Sequence, residues 1–188
     1  TLAFYIAEKK NSRNVYFIRN RHINPTNICI NRCRFCAFSR SKGQDGSFEL
    51  TIEEIIKKLK TQSRNKFETK LKTNYSEVHI VGGLHPDWPF GYYLKMLSSI
   101  KKNFPNLHIK AFTAVEVDYM SEISGLSLHE TLSTLKSSGL DSMPGGGAEI
   151  FDKNIRNRLC PEKISGRRWL EVMETAHSIG LKTNATML

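Results

Sequence analysis

The sequence predicts an α/β fold built on a parallel sheet, curved into a partial barrel or left open. Three observations carry this. Short apolar strand candidates recur at spacings of about 30 to 40 residues, amphipathic helical stretches lie between them, and helix ends carry caps or glycine stops. The strand candidates are Asn24 to Ile28, Val78 to Val81, Leu107 to Phe112, Leu140 to Met143 and Leu181 to Ala185.

The first helix signal after the opening strand is Thr51-Ile-Glu-Glu54, a capping box with Glu53 and Glu54 four residues ahead of Lys57 and Lys58. A second helix, from about Gly91 to Asn103, is carried by Leu94, Leu97 and Ile100 and ends before Pro105. Ser127-Leu-His-Glu130 repeats the box; its helix sets Leu128, Leu132 and Leu135 on one face and stops at Gly139. Ser165 caps a further helix with the apolar stripe Trp169, Val172, Met173 and Ala176 and a stop at Gly180. Ser39 to Ser47 reads as a loop, and Gln62 to Asn74 as a polar helix end or loop. Residues 1–188 are expected to form one barrel domain without linker or low-complexity tract. The chain closes on a strand at Leu188 and opens on a residue other than Met. A barrel stopping there, after its fifth strand, lacks its last helix and at least one further βα unit, so a longer polypeptide is expected.

With 188 residues and 39% hydrophobic content, the chain can bury a core without disulfides. No apolar run reaches the roughly 18 to 20 residues of a membrane span, and Leu2 to Ala7 is too short. A cytoplasmic protein without a membrane partner is expected. The formal charge of +10 favours anionic partners without choosing among nucleic acid, carboxylate and phosphate. The Lys57 to Lys60 run reads as a solvated helix back. Arg32 and Arg34, interleaved with cysteines, read as functional because positive charge beside thiolates stabilises them.

Three of the four cysteines fall in Cys29-x3-Cys33-x2-Cys36, just past a strand candidate, while Cys160 stands alone. Three thiolates on one tight loop can ligate three corners of a [4Fe-4S] cubane and leave one iron open. Structural zinc asks for four closed ligands, and a ferredoxin-type cluster for a fourth cysteine. Cys160, beside Pro161 in a helix connection, reads as an ordinary thiol near a helix end. An open iron beside an α/β barrel points to a chelating cosubstrate. S-adenosylmethionine (SAM) fits through its amino and carboxylate groups, and an electron from the cluster then breaks its S–C5′ bond.

Functional residues of a parallel barrel sit where strands end. There the sequence offers Asn27; Gly82, Gly83, His85 and Pro86; Thr113 and Glu116; Gly145, Gly146, Gly147 and Glu149; and Asn184 and Thr186. The glycines allow close backbone approach to a ligand. His85 is the candidate proton donor or substrate anchor. Glu149 is the candidate for orienting a ribose or the SAM amine, against a plain helix N-terminal acid. Glu116 is a further cofactor-site candidate. His79 and His108 lie inside strands and read as core; His22, His129 and His177 read as edge or surface residues.

The cysteine spacing, with Phe35 just before the last cysteine, resembles the radical SAM superfamily. That resemblance assigns Cys29, Cys33 and Cys36 to the cluster, and Phe35 to its solvent side or to adenine, against a core ring. Five segments, INPTNICINRCRFCAFSR, VGGLHPDWPFGYY, LHIKAFTAVEVDY, SGLDSMPGGGAEIFD and KTNATML, are together similar to the aminofutalosine synthase family of menaquinone biosynthesis. By that likeness, the 5′-deoxyadenosyl radical adds to the enol-ether double bond of 3-[(1-carboxyvinyl)oxy]benzoate. Rearrangement and loss of carbon dioxide give aminodeoxyfutalosine, with SAM consumed. It also implies a dicarboxylate substrate, for which Arg21, Arg40 and Arg168 are candidates, Gly82, Gly83 and Glu149 as SAM contacts, and an external flavodoxin- or ferredoxin-type electron donor. The family's chain continues beyond Thr186-Met-Leu188. Competing readings are a sister enzyme, either cyclic dehypoxanthine futalosine synthase or a deazaflavin cofactor synthase component, and a non-catalytic zinc or iron-sulfur module binding nucleic acid. The few aromatics near the basic cluster weigh against nucleic acid.

Overall fold

A computed structural model describes residues 1–60 and 73–187; the expected polar stretch Gln62 to Asn74 lies largely outside them. In chain order the elements are α1 (Leu2–Asn11), β1 (Asn20–Ile23), α2 (Ile52–Leu59), β2 (Glu77–Ile80), α3 (Phe90–Asn103), β3 (His108–Ala111), α4 (Ala114–Ser124), α5 (Leu128–Ser137), β4 (Ser142–Met143), α6 (Lys153–Leu159), α7 (Gly166–Ser178) and β5 (Lys182–Thr183).

The five strands form one sheet in the order β1-β2-β3-β4-β5, every pair parallel. Sequential order means that each crossover advances the same way along the sheet, so right-handed connections put the helices on one face, as in a barrel wall. The core agrees. Val78, Ile80, Ile109, Ala111 and Met143 of the strands pack with Ile55 and Leu59 of α2, Leu97 and Ile100 of α3, Val117 and Met120 of α4, Leu132 and Leu135 of α5, and Val172 and Ala176 of α7. Among the described residues no helix is long and apolar enough to cross a membrane. Residues 1–18 hold no buried residue and carry Phe4, Tyr16 and Phe17 largely exposed.

Thr51 and Ser127 form the expected capping boxes at α2 and α5, and Ser165 caps α7. Gly139 and Gly180, just past α5 and α7, take φ of 116° and 78°, the left-handed region where a glycine costs least. The first strand differs from the expectation. It is Asn20–Ile23, and Asn24 to Ile28 is a loop. Pro25 has no N–H for a ladder, the Asn24 amide donates to the Val81 carbonyl at 2.7 Å, and the Ile28 N–H donates to Thr26 Oγ1 at 3.0 Å, so side-chain bonds replace the ladder. Helices α1 and α4 were not expected, and α6 is the helix at whose end Cys160 was placed.

His79 and His108 are a correction. Strand residues alternate faces, and the register sets His22, His79, Lys110, Ser142 and Lys182 in one row opposite the helices, with Glu77 and His108 in the layer beneath. His108 is exposed, its Nε2 2.7 Å from Ser142 Oγ, and His79 is half-buried, so neither belongs to the apolar core. Regular alternation with a polar face, rather than a strand buried on both faces, is what these segments carry.

Candidate functional site

The strand ends and their loops enclose a cavity of about 270 Å³. One wall is the cysteine loop, with Cys29, Cys33, Cys36 and Phe35; the others are Gly82 and Gly83 after β2, Thr113 and Glu116 after β3, Gly146, Gly147 and Glu149 after β4, and Lys163 between α6 and α7.

The cysteine loop is closed on itself. The Cys29 N–H donates to the Arg40 carbonyl at 3.1 Å and the Arg40 N–H to the Asn27 carbonyl at 2.8 Å, so the segment leaves and returns at one point. The Cys36 N–H donates to the Cys33 carbonyl at 3.0 Å, which makes the turn between those thiols. Arg32 donates to the Cys29 carbonyl and Ser41 Oγ, and Arg40 to the carbonyls of Ala37 and Ser39. These arginines hold the loop's shape. Buried Asn27 fastens the following loop, its amide donating to the Gly46 carbonyl at 2.9 Å and its oxygen accepting from the Phe48 N–H at 2.9 Å.

Gly82 and Gly83 bring β2 against the cysteine loop. A Cβ on Gly83 would lie 2.6 Å from the Ile28 carbonyl carbon and 2.9 Å from Cys29 Cβ, so only glycine fits. The Ile30 N–H donates to the Leu84 carbonyl at 3.0 Å, and the Leu84 N–H to Cys29 Sγ at 3.3 Å. Burial dominates at Cys33 and pushes its thiol up to about 11; Lys163 pulls it down, and the thiols of Cys160, Cys29 and Cys36 push it further up. Cys160 itself is fully buried at the end of α6 and does not line the cavity.

The donor set fits a cluster. Three thiols share one cavity along a single loop. A cubane offers each thiolate its own iron, which suits ligands spread along a wall. A compact SAM-sized ligand beside it would meet the bare backbone of Gly82, Gly83, Gly146 and Gly147.

Glu116 is the hinge of this arrangement. Its Oε1 accepts from the Gly82 N–H at 3.0 Å, and its Oε2 from the N–H and the Oγ1 of Thr113, each at 2.8 Å. Thr113 Oγ1 in turn accepts from the Glu116 N–H, closing a capping box at α4. Burial pushes the Glu116 carboxyl up to about 7 despite these donors. Thr113-Ala-Val-Glu116 is the same signature that marks α2 and α5, and it was the signal for the unexpected α4.

Glu149 adopts a φ of 50°, unusual for a residue with a Cβ. Its Oε1 accepts from the Gly147 N–H at 3.2 Å and from Lys163 Nζ at 2.7 Å. Lys163 Nζ also lies 4.9 Å from the centroid of Phe35, whose ring is 42% exposed and therefore no core ring. Beneath this corner, buried Arg156 donates to the carbonyls of Gly147, Ala148, Ile150 and Ile164 at 2.6 to 3.0 Å. Sequence reasoning passed over Lys163 and Arg156. Both lie in a stretch of mixed charge with no pattern to set them apart.

His85 does not line the cavity. It is buried, its ring stacked on Trp88 at 4.5 Å, and Nδ1 accepts from the Asp87 N–H at 3.1 Å. Its Nε2 faces Glu49 Oε1 at 3.3 Å without hydrogen-bond geometry. Arg21, Arg40 and Arg168 do not line it either, and Arg168 is held by Asp118 at 2.6 Å and Glu171 at 3.1 Å.

The model of the radical SAM superfamily matches residues 23–188. Aminodeoxyfutalosine synthase of Thermus thermophilus is 40% identical over 187 residues, covering 100% of this chain and 48% of that protein. The Streptomyces coelicolor protein of the same name is 38% identical, with 100% and 46% covered. The 5-amino-6-(D-ribitylamino)uracil--L-tyrosine 4-hydroxyphenyl transferase of Methanopyrus kandleri is 41% identical over 174 residues, with 93% and 45% covered. The chain thus spans about half the length of the curated relatives it matches. Among solved structures, the FeFe-hydrogenase maturase HydG of Carboxydothermus hydrogenoformans superposes with a TM-score of 0.59 at 15% identity, over 98% of this chain and 39% of that one, a likeness of fold.

Proposed function

The chain belongs to the radical SAM superfamily, and from that premise we propose that the protein adds the 5′-deoxyadenosyl radical to 3-[(1-carboxyvinyl)oxy]benzoate, forming aminodeoxyfutalosine for menaquinone biosynthesis. One observation supports the reading to this reaction: the Thermus synthase is 40% identical over 187 residues, a span of 100% of this chain that takes in the cysteine loop and the glycine turns that wall the cavity. The superfamily implies a [4Fe-4S] cluster and SAM, a small-molecule substrate and a reductant; a flavodoxin- or ferredoxin-type donor is part of the proposal. When bound, cluster and SAM together supply one-electron cleavage of the S–C5′ bond.

The chain's own residues have separable tasks in this reading. Cys29, Cys33 and Cys36 hold three irons. Gly82 and Gly83 admit the cosubstrate to backbone distance, and Glu116 fixes Gly82 by its N–H. Glu149 presents a carboxylate to the SAM amine or ribose, oriented by Gly147 and Lys163. Phe35, under the Lys163 ammonium, shields the open side of the loop. His85 serves as a positioning residue that shapes the turn after Gly83.

The Methanopyrus relative favours a second reading, transfer chemistry on L-tyrosine, at nearly the same identity. Anaerobic incubation with SAM, dithionite and the enolpyruvyl benzoate, followed by mass analysis, separates the two. An adenosine-bearing adduct is expected. Free 5′-deoxyadenosine without adduct contradicts the addition reaction.

A further inference from the structure

We propose that the sheet face opposite the helices carries a carboxylate-binding site for the substrate, formed by the Lys110 ammonium and the Nε2–H of His79, next to the cysteine cavity. This rests on the radical SAM reading of that cavity and adds to it where the substrate is held. Lys110 and His79 are register partners on β3 and β2, so their side chains leave the sheet side by side. His79 Nε2 is buried with no hydrogen-bond partner, a state that costs free energy until an acceptor arrives. Among the described residues, Lys110 makes no ion pair or hydrogen bond. His22 packs edge-on against the His79 ring at 5.0 Å and fixes its plane.

Position links this pair to the chemistry. His79 and Lys110 line a space of about 460 Å³ that shares Val81, Thr113 and Gly146 with the cysteine cavity. A ligand anchored there by one end extends toward the thiols with the other. The charges suit an anion: His22, His79, Lys110 and Lys182 form one row, and Glu77, in the layer beneath, is an acid that acts on His79. Burial first, then His22 and Lys110, hold the His79 imidazole below its ordinary pKa. It therefore stays neutral and donates through one nitrogen, while Lys110 brings the charge. A carboxylate accepts from both. The enolpyruvyl benzoate carries two such groups and L-tyrosine one, so the site serves either substrate.

The test is equilibrium binding of 3-[(1-carboxyvinyl)oxy]benzoate and, separately, L-tyrosine to the full-length, cluster-loaded protein without reductant. Whichever carboxylate the wild type binds should lose roughly ten- to a hundredfold in affinity in Lys110→Met, and about tenfold in His79→Phe. Lys110→Arg should retain most of it, and SAM affinity should stay within about twofold in all three. The methyl ester of the bound compound guards against a misfolded variant: it should bind wild type and Lys110→Met alike. Lys110→Met binding the free acid as tightly as wild type, or a wild type that binds neither carboxylate, overturns the site. Tight L-tyrosine binding that Lys110→Met abolishes, with no adenosine adduct from the benzoate, leaves the site standing and removes the proposed reaction. Adduct formation with unchanged KM in Lys110→Met does the reverse.

Discussion

Substituting Gly83 by alanine probes the contact between β2 and the cysteine loop at its tightest point. The added Cβ would sit 2.6 Å from the Ile28 carbonyl carbon and 2.9 Å from Cys29 Cβ, inside the 3.0 Å that real Cβ atoms keep. Both neighbours are backbone or adjoin it, so relief requires the whole loop to move, by several tenths of an ångström or more. Overpacking of this kind costs about 1 to 3 kcal/mol, and a rigid carbonyl places Gly83→Ala at the upper end. For a chain of this size about 3 kcal/mol lowers the melting temperature by roughly 6 to 12 °C. Gly82 is the internal control. Its Cβ would meet the Thr26 carbonyl oxygen at 3.2 Å, a squeeze that small shifts absorb. The assay is thermal unfolding of the two alanine variants beside wild type, with iron content after anaerobic reconstitution as a second readout. Gly83→Ala should melt well below Gly82→Ala and take up less iron. Equal melting temperatures and full iron loading for Gly83→Ala would refute the claim that glycine is required there for close approach.

The Glu116 carboxyl, raised from 4.5 to about 7 chiefly by burial, makes stability pH-dependent. Between those values the folded chain keeps a proton that the unfolded chain has released, so stability falls as pH rises through the window. The loss is on the order of 3 kcal/mol, absent below the unfolded pKa. Denaturant titrations of cluster-free protein from about pH 5 to pH 8 should show this slope in wild type and lose it in Glu116→Gln. Arg156→Met should cost about 3 kcal/mol or more, because it strips buried carbonyls around Gly147 of their donors, and Arg156→Lys should recover only part, having three donors in place of five; chemical denaturation reads both. Alanine at Cys29, Cys33 or Cys36 should abolish the brown chromophore after reconstitution, whereas Cys160→Ala should retain it and only lose stability, since Cys160 is buried away from the cavity.

The parallel sheet was legible because crossovers need helices, and those helices carry their punctuation in the sequence: capping boxes at Thr51 and Ser127 and left-handed glycines at 139 and 180. Thr113-Ala-Val-Glu116 carried that punctuation too. Read as a functional strand end it concealed α4, although one carboxylate does both jobs, capping the helix and holding Gly82. The first strand was misplaced because Asn24 to Ile28 looks extended in sequence, yet its bonds run to loops and not to a ladder. His79 and His108 show a further limit. Strand membership is a local property, but which face a strand residue takes depends on where helices pack. The cysteine loop was legible from spacing alone, whereas Lys163 and Arg156 reach the site through tertiary folding of the α6–α7 corner and leave no trace in spacing.

The proposed reaction requires an iron that three thiolates leave open for SAM. The electron paramagnetic resonance spectrum of the dithionite-reduced, reconstituted full-length protein, recorded with and without SAM, tests this most directly. A reduced four-iron cluster whose signal shifts when SAM is added is the result the account predicts. Zinc in place of iron, or a cluster signal that SAM leaves unaltered, would contradict it.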